Sequence, residues 1–219
     1  MDKRALIFDM DGVIVHNDYY HCEGWQKFAK KYGFEISADD VKKWFGNTNR
    51  DILQRLFDQS LDDETIFNMS EEKEALYREA FAPFIKPLAG LEDFLKRSLN
   101  GKWVAAVATS APASNVEFVM KNTGLAGYFK TITDETAVRR GKPDPEIYLK
   151  TAEFLRIDPG HCIVFEDSLY GIEAAQRAGM KVVAVATSHP PEKFKEMDFV
   201  IKNFEGLTTQ ILVEKMYGI

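Results

Sequence analysis

Three short stretches of this chain have unbroken apolar centres. They are KWVAAVATS (102–110), HCIVFEDS (161–168) and KVVAVAT (181–187). A strand with no polar face fits a position covered on both sides, which is the condition of strands in a parallel sheet. Helix patterns lie between them. DPEIYLKTAEFLR (144–156) begins with Asp144 as N-cap and Pro145 at the first helical position. SLYGIEAAQRAGM (168–180) closes at Gly179, a residue suited to the left-handed stop of a helix. Strand–helix alternation with right-handed crossovers predicts an α/β fold with a doubly wound, Rossmann-like parallel sheet.

The first strand has the same character and an abrupt end. Ala5-Leu6-Ile7-Phe8 runs straight into Asp9-Met10-Asp11-Gly12. Residues 16–83 then change period. YHCEGWQKFAKKYG (20–33) sets Trp25, Phe28, Ala29 and Tyr32 on one helical face. SADDVKKWF (37–45) opens with a capping box of Ser37 and Asp40, and RDILQRLFDQ (50–59) and SEEKEALYREAF (70–81) are further amphipathic helices. No strand pattern occurs there. Pro83 and Pro87 mark the return to the sheet, and LAGLEDFLKRS (88–98) reads as a core helix. The expected organisation is an α/β core of 1–15 and 84–219, with an all-helical domain of 16–83 inserted after strand one.

Composition narrows the classes of function. A chain of 219 residues with a formal net charge of −6 is a poor match for nucleic acid or an anionic membrane surface. It holds no apolar run long enough to span a bilayer. Cys22 and Cys162 are far apart and lack metal-ligand spacing, so no disulfide framework is expected. MDKRALIFD lacks the small-residue cleavage site of a signal peptide, and the expectation is a cytoplasmic monomer.

In open α/β sheets ligands bind beyond the carboxyl ends of the strands. Those ends carry Asp9 and Asp11, Thr109 and Ser110, and Glu166, Asp167 and Ser168, while Lys142 lies in the loop RRGKPDPE. All should converge on one crevice. Each acid could instead cap the helix that follows it, and Lys142 could be a solvated loop residue. Crowded carboxylates repel and call for a cation, and an all-oxygen set suits Mg²⁺ better than zinc. Hydroxyls, backbone N–H groups and an ammonium supply donors for a phosphate, and one carboxylate is then left to attack it.

DMDGV, ATS, GKPDP and FEDS, in this order, resemble the four motifs of the haloacid dehalogenase superfamily. The likeness is to the β-phosphoglucomutase and phosphoglycolate-phosphatase branch, and it covers nearly the whole chain, the helical cap included. It implies a Mg²⁺-dependent phosphatase that passes through an aspartyl-phosphate on a small phosphorylated metabolite. Asp9 matches the nucleophile, and Asp11 the general acid and base whose backbone carbonyl also meets the metal. Thr109 matches the hydroxyl that holds the phosphoryl group, with Ser110 beside it, and Lys142 the lysine that balances charge. Asp167 matches a metal ligand, with Glu166 a second, direct or through water. The cap would close over the site and set specificity.

Two cap residues carry open alternatives. His21 matches a histidine of β-phosphoglucomutases shared by related phosphatases, or it is a partly buried helix-start residue. Arg50 binds a substrate phosphate or is a solvated helix residue. The mutases read Gly-x-Ser-Arg in this loop, whereas this chain reads Gly46-Asn47-Thr48-Asn49-Arg50, with asparagine where that arginine stands. This favours the phosphatase over the mutase. Halide displacement is disfavoured by Asp11, and a catalytically dead module by the presence of Asp9, Lys142 and Asp167.

Overall fold

A computed structural model describes residues 3–44, 48–58, 60–99 and 101–218. Part of the loop compared with the mutases, Gly46 and Asn47, lies outside the described residues. In chain order the elements are β1 (Arg4–Phe8), α1 (Asp18–Lys31), α2 (Ala38–Lys42), α3 (Asn49–Phe57), α4 (Asp63–Phe81), α5 (Leu91–Ser98), β2 (Trp103–Ala108), α6 (Ala113–Thr123), β3 (Phe129–Thr133), α7 (Glu146–Leu155), β4 (Cys162–Glu166), α8 (Leu169–Arg177), β5 (Lys181–Val185), β6 (Val200–Ile201) and α9 (Thr209–Tyr217). The fold is the expected doubly wound parallel sheet, with an all-helical insertion after β1. Two compact units result: Met1–His16 with Lys86–Ile219, and Asn17–Ile85.

The first unit holds one six-stranded sheet in the order β3-β2-β1-β4-β5-β6, every neighbouring pair parallel. From β1 the chain winds first towards β2 and β3, then crosses to β4, β5 and β6. The carboxyl end of β1 is therefore the topological switch point, where adjacent crossovers diverge and leave a crevice. Successive β1 residues alternate between two buried faces. Phe8 stacks on its register partner Phe165 at 4.7 Å, within a group that includes Phe94 and Phe204. Ile7 packs with Tyr148, Val164, Ile172 and Phe194, so α7 and α8 cover that side. With both faces closed, the strands can be apolar throughout.

In the second unit α1 and α4 pack together, and Trp25, Phe28, Val41, Ile52, Leu53 and Ile66 form its core. The capping box of Ser37 and Asp40 is present, and Thr48 and Asp51 make another at the start of α3. Several boundaries differ from the periodicity. Helix α4 begins at Asp63, capped by Asp62, two turns before the expected 70–81 pattern. Its first turns, DETIFNM, are mostly exposed, so apolar spacing could not reveal them. The N-cap of α7 is Pro145 rather than Asp144, whose side chain accepts instead from the Glu146 N–H at 3.0 Å. No described helix is long and apolar enough to cross a membrane.

Candidate active site

The acidic turn leaves β1 under tight backbone control. Asp9 N–H donates to the Phe165 carbonyl at 3.0 Å, which continues the β1–β4 ladder past the strand end. The Met10 carbonyl then accepts from the N–H groups of Val13, Ile14 and Val15, and Gly12 N–H donates back to the Val15 carbonyl at 2.7 Å. This compact loop holds Asp9 buried and Asp11 half-buried.

Lys142 reaches the same point from a separate loop. Arg139 and Arg140 N–H both donate to Glu146 Oε2, at 3.0 and 3.1 Å, and Asp144 N–H donates to the Gly141 carbonyl. The start of α7 thereby braces the loop. Lys142 Nζ lies 2.7 Å from Asp9 Oδ1 and 2.5 Å from Glu166 Oε1. Glu166 Oε1 also accepts from the Tyr148 hydroxyl at 2.9 Å. Its Oε2 accepts from Ser168 N–H and Oγ, at 2.9 and 3.0 Å. Asp167 accepts from the Ser188 hydroxyl, and Thr187 Oγ1 donates to the Gly12 carbonyl at 2.6 Å.

Asp9, Glu166 and Asp167 are all buried, and each offers a carboxylate oxygen within 4.8 Å of the others. Burial, reinforced by the negative charges of Glu166 and Asp11, raises the Asp9 carboxyl to about 7, although Lys142 pulls the other way. Burial opposes the Lys142 charge, but Asp9 and Glu166 outweigh it and hold the ammonium well above the ordinary lysine value. One ammonium cannot neutralise three buried carboxylates. A hard, oxygen-preferring divalent cation fits that donor set.

Of the sequence-predicted residues, Asp9, Lys142, Glu166 and Asp167 are thus brought together. Thr109 is buried just beyond β2, where its N–H donates to the Thr133 carbonyl and its Oγ1 accepts from Ala111 N–H at 3.1 Å; Ser110 is exposed next to it. His21 and Arg50 belong to the helical unit. The His21 ring stacks on Tyr77 at 3.9 Å, with Lys73 Nζ 3.1 Å from Nδ1 and the Asn17 amide 3.3 Å from Nε2. Arg50 pairs with Asp63 at 2.9 Å, and Asn49 donates to Glu74 Oε1 at 2.9 Å.

Three polar contributors escaped the sequence reading: Tyr148, Thr187 and Ser188. The last two follow β5, so the strand-end rule that exposed the acids would have reached them. Ser168, at the end of the same apolar run as Glu166 and Asp167, is the N-cap of α8. Tyr148 has no such signal, because it continues the buried face of α7 with Ile147, Thr151 and Ala152.

Fold and acidic cluster define the class as an α/β enzyme. The chain belongs to the haloacid dehalogenase-like hydrolases, whose family model matches residues 6–185. It is 31% identical over 181 residues to a fructose-1-phosphate phosphatase of Escherichia coli, covering 83% of this chain and 95% of that one. A crystal structure of a HAD hydrolase from Entamoeba histolytica matches with a TM-score of 0.90 at 28% identity, covering 99% of both chains. One of β-phosphoglucomutase from Clostridium difficile matches with a TM-score of 0.87 at 28% identity, covering 99% and 98%.

Proposed function

We propose that this hydrolase is a Mg²⁺-dependent phosphatase for a small phosphorylated metabolite, with Asp9 as nucleophile. The observation that carries the reading is the Asp9 carboxylate at the switch point, held on Lys142 among three buried acids. An Asp9 oxygen attacks phosphorus while the bond to the leaving oxygen breaks and Asp11 gives that oxygen a proton. Asp11 then takes a proton from water, the water oxygen attacks phosphorus, and the aspartyl-phosphate breaks to inorganic phosphate and free Asp9. Thr109 and the backbone N–H groups beside Ser110 hold the phosphoryl oxygens, and Lys142 offsets their charge.

Asp9, Asp167 and the Asp11 backbone carbonyl would hold Mg²⁺; Glu166, whose oxygens accept from protein donors at both ends, would join through water. The ion would supply charge stabilisation at the phosphoryl oxygens. The similarity to a sugar-phosphate phosphatase supports the reaction class. The similarity to β-phosphoglucomutase supports a second reading, a phosphomutase, in which His21 and Arg50 serve the substrate.

The test is phosphate release from a panel of sugar phosphates, phosphoglycolate, nucleotides and pyrophosphate. Release should stop in chelator and return with Mg²⁺. Full activity after exhaustive chelation, or no release across the panel, overturns the proposal.

A further inference from the structure

We infer that Tyr148 is a positioning residue for the Asp9–Lys142 pair and acts through Glu166. The inference rests on the function just proposed. Tyr148 is completely buried on α7 and packs in the hydrophobic cluster that includes Ile7, Val164 and Ile172. Phenylalanine would supply the same packing there. A hydroxyl in such surroundings is costly unless it is bonded, and this one donates to Glu166 Oε1 at 2.9 Å.

That oxygen is the one that meets Lys142 Nζ at 2.5 Å. The same ammonium stands 5.0 Å from the centroid of the Tyr148 ring, within cation–π range. One side chain therefore bears on Lys142 twice, through its ring face and through the carboxylate. The opposite end of Glu166 is fixed by Ser168 N–H and Oγ. A Cβ on Gly171 would overlap the Glu166 carboxylate, so α8 passes against it at a residue with no side chain. With both oxygens engaged, the carboxylate cannot turn.

The consequence concerns where Lys142 sits. Its ammonium is shared between Asp9 Oδ1 and Glu166 Oε1. Donation from Tyr148 draws charge from Oε1 and fixes its position, which weakens the hold of Glu166 on the ammonium in favour of Asp9. Lys142 then stays beside the atom whose charge changes during phosphoryl transfer. A tyrosine that only filled space would leave that sharing untouched.

The experiment is a double-mutant cycle of Tyr148→Phe and Glu166→Gln, assayed with an aryl phosphate at saturating Mg²⁺. Calorimetric Mg²⁺ binding without substrate and thermal unfolding accompany it. Tyr148→Phe should lower kcat about tenfold, as expected for loss of one hydrogen bond to a charged group. KM and Mg²⁺ affinity should stay within about twofold, and the double variant should match Glu166→Gln alone. If Tyr148→Phe fails to fold, Ser168→Ala loosens the other oxygen of Glu166 and should give the same loss confined to kcat. Unchanged kcat, or losses that multiply in the double variant, overturn the role. A wild-type protein without phosphatase activity overturns the proposed function and this role with it, whereas an active wild type with an undiminished Tyr148→Phe overturns this role alone.

Discussion

Asp167 Oδ2 occupies the space in which any side chain on Gly12 would begin. Gly12 also has φ +75°, a left-handed conformation that side chains resist. The acidic turn of β1 and the acidic end of β4 are in this way packed backbone against carboxylate. Gly12→Ala must displace Asp167 as well as strain the turn. Calorimetry should show Mg²⁺ affinity reduced about tenfold or more, with a lowered unfolding temperature. Unchanged Mg²⁺ binding in Gly12→Ala would separate this contact from the metal site.

Asp9→Asn tests the proposed nucleophile with the least change of shape. The amide keeps the size of the carboxyl and removes the anion that would attack. Turnover should fall by about a thousandfold or more, while circular dichroism stays that of the wild type. A near wild-type rate would show that water attacks phosphorus directly.

The parts of the site legible in the sequence were those obeying one rule, that chemistry lies past the carboxyl end of a buried strand. Asp9, Glu166 and Asp167 each follow an apolar run, and Lys142 precedes a recognisable helix. Thr187 and Ser188 obey the same rule, since they follow the apolar run of β5. Strand β3, FKTIT, lies at the sheet edge and is only partly buried, and β6 has two residues, so neither carries an apolar run to detect. Tyr148 illustrates a different limit. Its hydroxyl matters only because α7 and β4 bring it to Glu166, and no local pattern encodes that meeting.

Ser188 donates to Asp167 Oδ2 and so restricts how that carboxylate can face a cation. Groups that orient a metal ligand commonly contribute about tenfold or more to affinity. Ser188→Ala should weaken Mg²⁺ binding by about that factor while kcat at saturating Mg²⁺ falls less. Unaltered Mg²⁺ affinity would assign Ser188 to loop structure alone.

Stability should depend on pH in a way that Mg²⁺ reverses. The folded protein keeps a proton on Asp9 up to about 7, whereas the unfolded chain releases it near 3.8. Between those values the folded state binds more protons, so stability falls as pH rises through the window, and the loss is complete above it. Lys142, held above its ordinary value, contributes stability that is lost only in the far alkaline range. Asp40, lowered to about 2, acts only below the window. In chelator the unfolding temperature should therefore fall from about pH 5 to about pH 8, and Mg²⁺ should raise it more at the higher value, because cation and proton compete for one carboxylate. Equal stabilisation by Mg²⁺ at both values would remove Asp9 from the metal site.

The choice between phosphatase and mutase turns on whether the helical unit offers a second phosphate site. A mutase must hold a bisphosphate while the sugar reorients, and it needs a cation for the phosphate that is not reacting. At the position where mutases carry that arginine this chain has Asn49, and its amide is spent on the Glu74 carboxylate. Glu74 is itself buried and paired with Lys73 at 2.8 Å. Arg50 follows one residue later, rotated by about 100° around the helix, and pairs with the exposed Asp63. An exposed pair of this kind is weak, about 1 kcal/mol or less, so it would yield to a phosphate within reach. The stronger obstacle is Asn49, because a carboxylate-bound amide brings no positive charge. In a coupled assay with β-glucose 1-phosphate and a trace of bisphosphate primer, phosphate release should exceed formation of glucose 6-phosphate. Asn49→Arg should not by itself create a mutase, since Glu74 would pair with the new guanidinium, whereas Asn49→Arg with Glu74→Gln should increase binding of the bisphosphate. Isomerisation faster than hydrolysis in the wild type would make the mutase the better reading and Arg50 its second-phosphate ligand.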